Sequence, residues 1–121
     1  MIRKISITQK LEAHLTLLMD NHPDILALIA FSPDGLVITS LIKPNQDKEK
    51  ISALSAMLLK DAIKAANSFE FGTFKRILLV SEKGYLTVLN VTNEIKIAML
   101  CKQQGPFIHA FKDLMRFTKS L

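Results

Sequence analysis

The chain has 121 residues, 49% of them hydrophobic and 22% charged, which fits one globular domain spanning 1–121 and excludes a disordered or fibrous protein. Its single cysteine, Cys101, cannot close an intramolecular bridge, and a lone thiol suits a reducing compartment. The net charge of +5 raises nucleic acid and acidic membrane as partners, but the sixteen basic residues are spread along the chain, with no interleaved aromatics to stack bases.

The elements follow in order. After Thr8, a good helix cap, Leu11, His14, Leu15, Leu18 and His22 recur at spacings of three and four, which predicts a helix ending near Asn21, before Pro23. Ile25 to Phe31 is wholly apolar and reads as a strand buried on both faces. Asp34-Gly35 signals a turn, and Leu36 to Leu41 returns as the second strand of a hairpin. Lys43-Pro-Asn-Gln is a polar loop, with Asp47 placed to cap the longest helix, about Lys48 to Phe69. Phe74 to Ser81 and Tyr85 to Val91 read as strands around the turn Glu82-Lys-Gly84. After Thr92-Asn-Glu, Ile95 to Cys101 forms the fifth strand. A final helix follows Gly105-Pro106, with Phe107, Phe111, Leu114, Thr118 and Leu121 inward and Lys112, Arg116 and Lys119 outward. Hairpin-length turns predict a mainly antiparallel sheet, and strands apolar on both faces require helices above and below it. The expectation is α+β: a three-layer α/β/α sandwich in the order α-β-β-α-β-β-β-α.

The long helix carries more apolar surface than one interface uses. Its main stripe is Ile51, Leu54, Leu58, Ala62, Ala65 and Phe69; Ala56, Leu59, Ile63 and Ala66 widen the arc to roughly 200°, about twice a single buried stripe. Two readings fit. Loops of the same chain cover the extension, or it packs on another copy about a two-fold axis. A strand from Phe74 to Val80 at the sheet edge favours the second, because an unpaired apolar edge invites association.

Signatures of catalysis and of metal or cofactor binding are missing. No phosphate-cradling Gly-rich loop occurs, and glycines 35, 72, 84 and 105 are isolated. His14, His22 and His109 have no partners at metal-ligand spacing, and hydrogen-bonded packing roles are expected for His14 and His22. Cys101 with His109 downstream is the one nucleophilic alternative, against a buried inert thiol. Asp34 belongs to a turn, and Asp47 with Glu49 to a helix start. Polar residues interrupt any signal-peptide core, and the apolar run from Ile25 to Phe31 is far short of the roughly 20 residues that span a bilayer. Asn90-Val-Thr92 matches a glycosylation sequon by chance inside a strand. A cytoplasmic, non-enzymatic protein with no cofactor is expected.

The apolar first strand with Ser32-Pro-Asp-Gly-Leu-Val-Ile-Thr-Ser40, the Ala-rich helix from Ile51 to Ala66, Phe71-Gly72 before an apolar strand, Gly84-Tyr85-Leu86 and the Gly-led last helix together resemble the Roadblock/dynein light-chain family, from about residue 8 to 120. The resemblance implies a five-stranded antiparallel sheet, with the long helix on one face and the terminal helices on the other. It also implies dimers that pair the strand after the long helix and pack the two long helices together. Carried onto this chain, the dimer residues would be Ala56, Leu59, Ile63, Phe74, Ile77 and Leu79. Family members act on small Ras-like GTPases, as bacterial polarity partners that stimulate hydrolysis or as parts of exchange and scaffold complexes; others hold cargo on dynein. The implied function is a dimer, with itself or with a second Roadblock-type chain, that regulates a small Ras-like GTPase. The alternative is a structural or cargo adaptor with no effect on nucleotide hydrolysis. A third reading, nucleic acid or anionic membrane held by Lys112, Arg116 and Lys119, rests on one short stripe beside Asp113.

Overall fold

The computed structural model describes residues 7–102, 108–119 and 121. Its elements are α1 (Ile7–Asn21), β1 (Ile25–Phe31), β2 (Val37–Ile42), α2 (Lys48–Ser68), β3 (Arg76–Ser81), β4 (Gly84–Asn90), β5 (Lys96–Lys102) and α3 (Ile108–Thr118). The sheet is five-stranded and antiparallel throughout, in the order β2-β1-β5-β4-β3. The α-β-β-α-β-β-β-α order and the three-layer sandwich agree with the expectation. The expected Gly105-Pro106 start of α3 and Phe107 lie outside the described residues, and Thr8 is already helical rather than a cap.

Strand alternation divides the core into two layers. A register shift between Ile25 and Ala27 sets the parity of β1. Ile25, Leu28 and Ala30 therefore join Leu11, Leu15 and Leu18 of α1 and Leu114 and Phe117 of α3 on one face. Ala27, Ile29 and Phe31 join Ala56 and Leu59 of α2 on the other. Burial of β1 on both faces explains why its sequence is continuously apolar.

Turn chemistry fixes the connections. Gly35 adopts φ +85°, and its N–H donates to the Ser32 carbonyl at 2.8 Å, closing the β1–β2 hairpin. Ser52 Oγ donates to the Gly35 carbonyl at 3.0 Å, fastening that hairpin to α2. Asp47 caps α2, its carboxylate accepting from Lys50 N–H at 3.1 Å. The helix ends in a Schellman pattern, with Phe71 N–H donating to the Ala66 carbonyl and Glu70 N–H to the Asn67 carbonyl. Glu70 takes the left-handed position (φ 58°), and Gly72 a second one (φ 86°).

β3 starts at Arg76, two residues later than expected. Asn90 explains the offset: its amide donates to the Phe74 carbonyl at 2.9 Å and its N–H to the Lys75 carbonyl at 2.9 Å, holding the approach to β3 without extending the ladder. Buried Lys96 donates to Asn90 Oδ1 at 2.5 Å and to the Thr92 carbonyl at 2.6 Å, closing the β4–β5 turn, and burial lowers the pKa of its amine. Both ends of the Asn90 side-chain amide are thus engaged.

Ser55 of α2 faces the sheet with no exposed surface, and its hydroxyl has no hydrogen-bond partner among the described residues. Such a group costs about 1–3 kcal/mol, and alanine is the better helix former. Ser55→Ala is therefore expected to raise stability by about 1 kcal/mol, read as a higher urea midpoint at unchanged slope.

Candidate functional site

The apolar side chains that α2 leaves exposed lie on the stripe expected to face the sheet. Ala56 (7% exposed) and Leu59 (3%) are buried against the chain's own strands, and Ile63 packs on the same cluster. Leu54 is 47% exposed; Ala65 and Phe69 are also exposed, and Leu58 and Ala62 are half-buried. The assignment of Ala56 and Leu59 to a surface is corrected: the small side chains Ser52, Ser55 and Ala56 let α2 approach the sheet and hairpin closely, which rotates the larger apolar residues outward. A Cβ on Gly35 would lie 3.3 Å from that of Ala56, which shows how close the approach is.

β3 is the other half of this surface. It pairs only with β4, so its second backbone edge is open among the described residues. Leu78, Leu79 and Val80 are all exposed, and Ile77 and Phe74 are half-buried against the α2-side cluster. The register aligns Leu79 with Leu86 and Leu86 with Leu100 across the sheet. Leu86 and Leu100, with Ile51 and Leu54 of α2, line a shallow groove. An apolar path therefore runs from the exposed stripe of α2 to the open edge of β3. At its other end lie Phe69 and Phe71, with ring centroids 5.6 Å apart. Of the six expected interface residues, the structure gathers Ile63, Phe74, Ile77 and Leu79 beside this path and withdraws Ala56 and Leu59 into the core. Leu54 and Met57 were not foreseen there, since α2 is apolar on two adjacent faces and periodicity alone does not say which one the sheet takes; Leu78 and Val80 alternate with Ile77 and Leu79 and so face the other side of the sheet.

His14, His22 and Asp113 are committed to structure. His14 stacks on Phe117 (centroids 4.1 Å apart), and its Nδ1 lies 3.1 Å from the Lys10 carbonyl oxygen. His22 Nε2 meets Asp113 Oδ2 at 2.7 Å, and Arg116 donates to Asp113 Oδ1 at 3.1 Å, linking the end of α1 to α3. The hydrogen bond from His22 is the main cause that holds the Asp113 carboxyl below its usual range, with the His22 and Arg116 charges adding to it. A depressed folded-state pKa contributes stability above the unfolded value of about 3.9 and loses it as pH falls through the folded value. The stability difference between the wild type and Asp113→Asn is expected at pH 7 and should shrink on acidification below about pH 4. Urea denaturation at the two pH values measures it.

Cys101, His22 and His109 line one small cavity. The Cys101 thiol is buried, and its pKa is pushed up to about 11, first by burial and then by the Asp24 carboxylate, so a thiolate nucleophile is disfavoured. Among the described residues, no group of three or more His, Cys, Asp or Glu side chains could hold a metal ion, and no helix is long and apolar enough to cross a membrane.

The class the fold defines is an α/β/α sandwich with an open strand edge beside an apolar helix stripe, the kind of surface that protein contacts use. The chain belongs to the Roadblock/LC7 domain family, whose family model matches residues 11–101. No curated protein matches it by sequence. Among solved structures it is similar to Myxococcus xanthus MglB, with a TM-score of 0.84 at 12% identity, covering 98% of this chain and 90% of that one. It is similar to the gliding protein MglB of Thermus thermophilus, with a TM-score of 0.82 at 10% identity, covering 99% and 91%. A Roadblock/LC7 domain from Streptomyces avermitilis gives a TM-score of 0.77 at 18% identity, covering 87% and 88%.

Proposed function

We propose that the chain is one Roadblock-type domain, residues 1–121, acting in the cytoplasm as a non-enzymatic homodimeric scaffold. In this reading it binds a small Ras-like GTPase and regulates its nucleotide cycle, as an activator or as part of an exchange complex. The observation that carries the proposal is the continuity of the exposed α2 stripe with the open β3 edge. Pairing β3 with its own copy about a two-fold axis would satisfy the free backbone groups and bring the two stripes together. Ala62 and Ala65 would let the helices approach, with Leu54, Leu58 and Leu79 supplying apolar area. Ile63, Phe74 and Ile77 would add their remaining exposed surface, while Ala56 and Leu59 hold α2 in place from behind. A second Roadblock-type chain with the same edge could replace one copy.

The test is to add the purified protein to a Ras-like GTPase encoded beside it and to follow binding, GTP hydrolysis and nucleotide release. Binding with a changed rate of either step is expected. Binding with neither rate changed would move the protein to the adaptor reading, and no binding would count against both.

A further inference from the structure

The opposite face of β3 carries a second exposed feature, on the other side of the sheet from the α2 stripe. Arg76, Leu78 and Val80 pair with Leu89, Thr87 and Tyr85, and that side of the sheet is the one α1 and α3 cover. Leu78 and Val80 nevertheless stay exposed there. Next to them, between β3 and the end of α3, lies a groove of about 380 Å³. Its apolar wall includes Phe74, Leu89 and Met115, and three cations border it: Lys75, Arg76 and Lys119. No carboxylate lines it, and none of the three makes an ion pair with a described residue. The two basic residues within α3 itself contribute differently: Arg116 is already bound to Asp113, and Lys112 is outside the lining.

Three unpaired positive charges around an apolar strip are complementary to an extended segment that alternates acidic and apolar residues. We infer that this groove, continued along Leu78 and Val80, is a docking site for an acidic, apolar-containing peptide segment of a partner protein. Its apolar wall and narrow set of three charges suit a peptide better than a nucleic-acid backbone or a membrane surface, which call for longer basic tracks and, for bases, exposed aromatic faces.

The test is fluorescence anisotropy with a labelled ten-residue peptide of alternating Glu and Leu, and with its Lys-for-Glu counterpart. The proteins are the wild type and Lys75→Glu/Arg76→Glu/Lys119→Glu, whose sites are all exposed and whose fold is checked by circular dichroism. Saturable binding of the acidic peptide alone is expected, weaker by about 10-fold or more in the triple variant and at high salt. A second variant, Val80→Ser, should weaken binding without altering the charge. Absence of saturable binding, or equal binding by the triple variant, would overturn the inference. So would preferential binding to phosphatidylserine vesicles or to a 20-nucleotide single strand measured alongside.

Discussion

Leu54→Glu is expected to leave the fold intact and to weaken self-association by at least about 100-fold, converting a dimer to monomers in sedimentation velocity. Leu54 is 47% exposed on the chain itself, so a carboxylate there meets water in the monomer and costs little. In a two-fold dimer built on the α2 stripe the same substitution occurs twice, and it places two charges in or beside one apolar contact. Like-charge juxtaposition in such a setting costs several kcal/mol, and charge buried without a partner costs more. Ala65→Arg, further along the same stripe and also exposed, should act alike by bulk and charge. Ile63→Glu would be a poor probe, because Ile63 packs on the intrachain core and its loss would confuse unfolding with dissociation.

Gly84→Ala should destabilise the protein by about 2 kcal/mol, the cost of overpacking a site that has no room. A Cβ at Gly84 would lie 2.8 Å from the carbonyl oxygen of Cys101. That oxygen belongs to backbone in β5, where Gly84 pairs with Lys102 and Tyr85 with Cys101, so relief requires moving the ladder rather than a side chain. Gly72 provides the contrast. An added Cβ there meets nothing within 4 Å, and only its φ of +86° penalises a substitution, by about 1–2 kcal/mol. Urea denaturation of both variants separates steric from conformational cost.

Most of the architecture was legible in the sequence because its local signals agree with one another. Pro33-Asp34-Gly35 and Asp47 adopt the turn and cap that their chemistry favours, and Ile25–Phe31 is the doubly covered strand that its unbroken apolar run implies. The phase of α2 was not legible. The sheet takes the face bearing Ser52, Ser55 and Ala56, chosen by close approach, while hydrophobic periodicity favours the bulkier stripe of Ile51, Leu54 and Leu58. The start of β3 was hidden for a different reason. Glu70 occupies the left-handed position that glycine usually takes, with Gly72 two residues further on, and the strand waits for the Asn90 tether to end. The exposed apolar surface was therefore readable as a surplus of apolar residues on one helix and one edge strand. Which residues it presents became visible only once the packing distance of α2 was known.

Light scattering on the unaltered protein across a range of concentrations tests self-association through the α2 and β3 surface most directly. A mass of twice the 13.6 kDa chain is the predicted result. A well-folded monomer at every concentration would contradict it, and would leave the exposed stripe to a different partner.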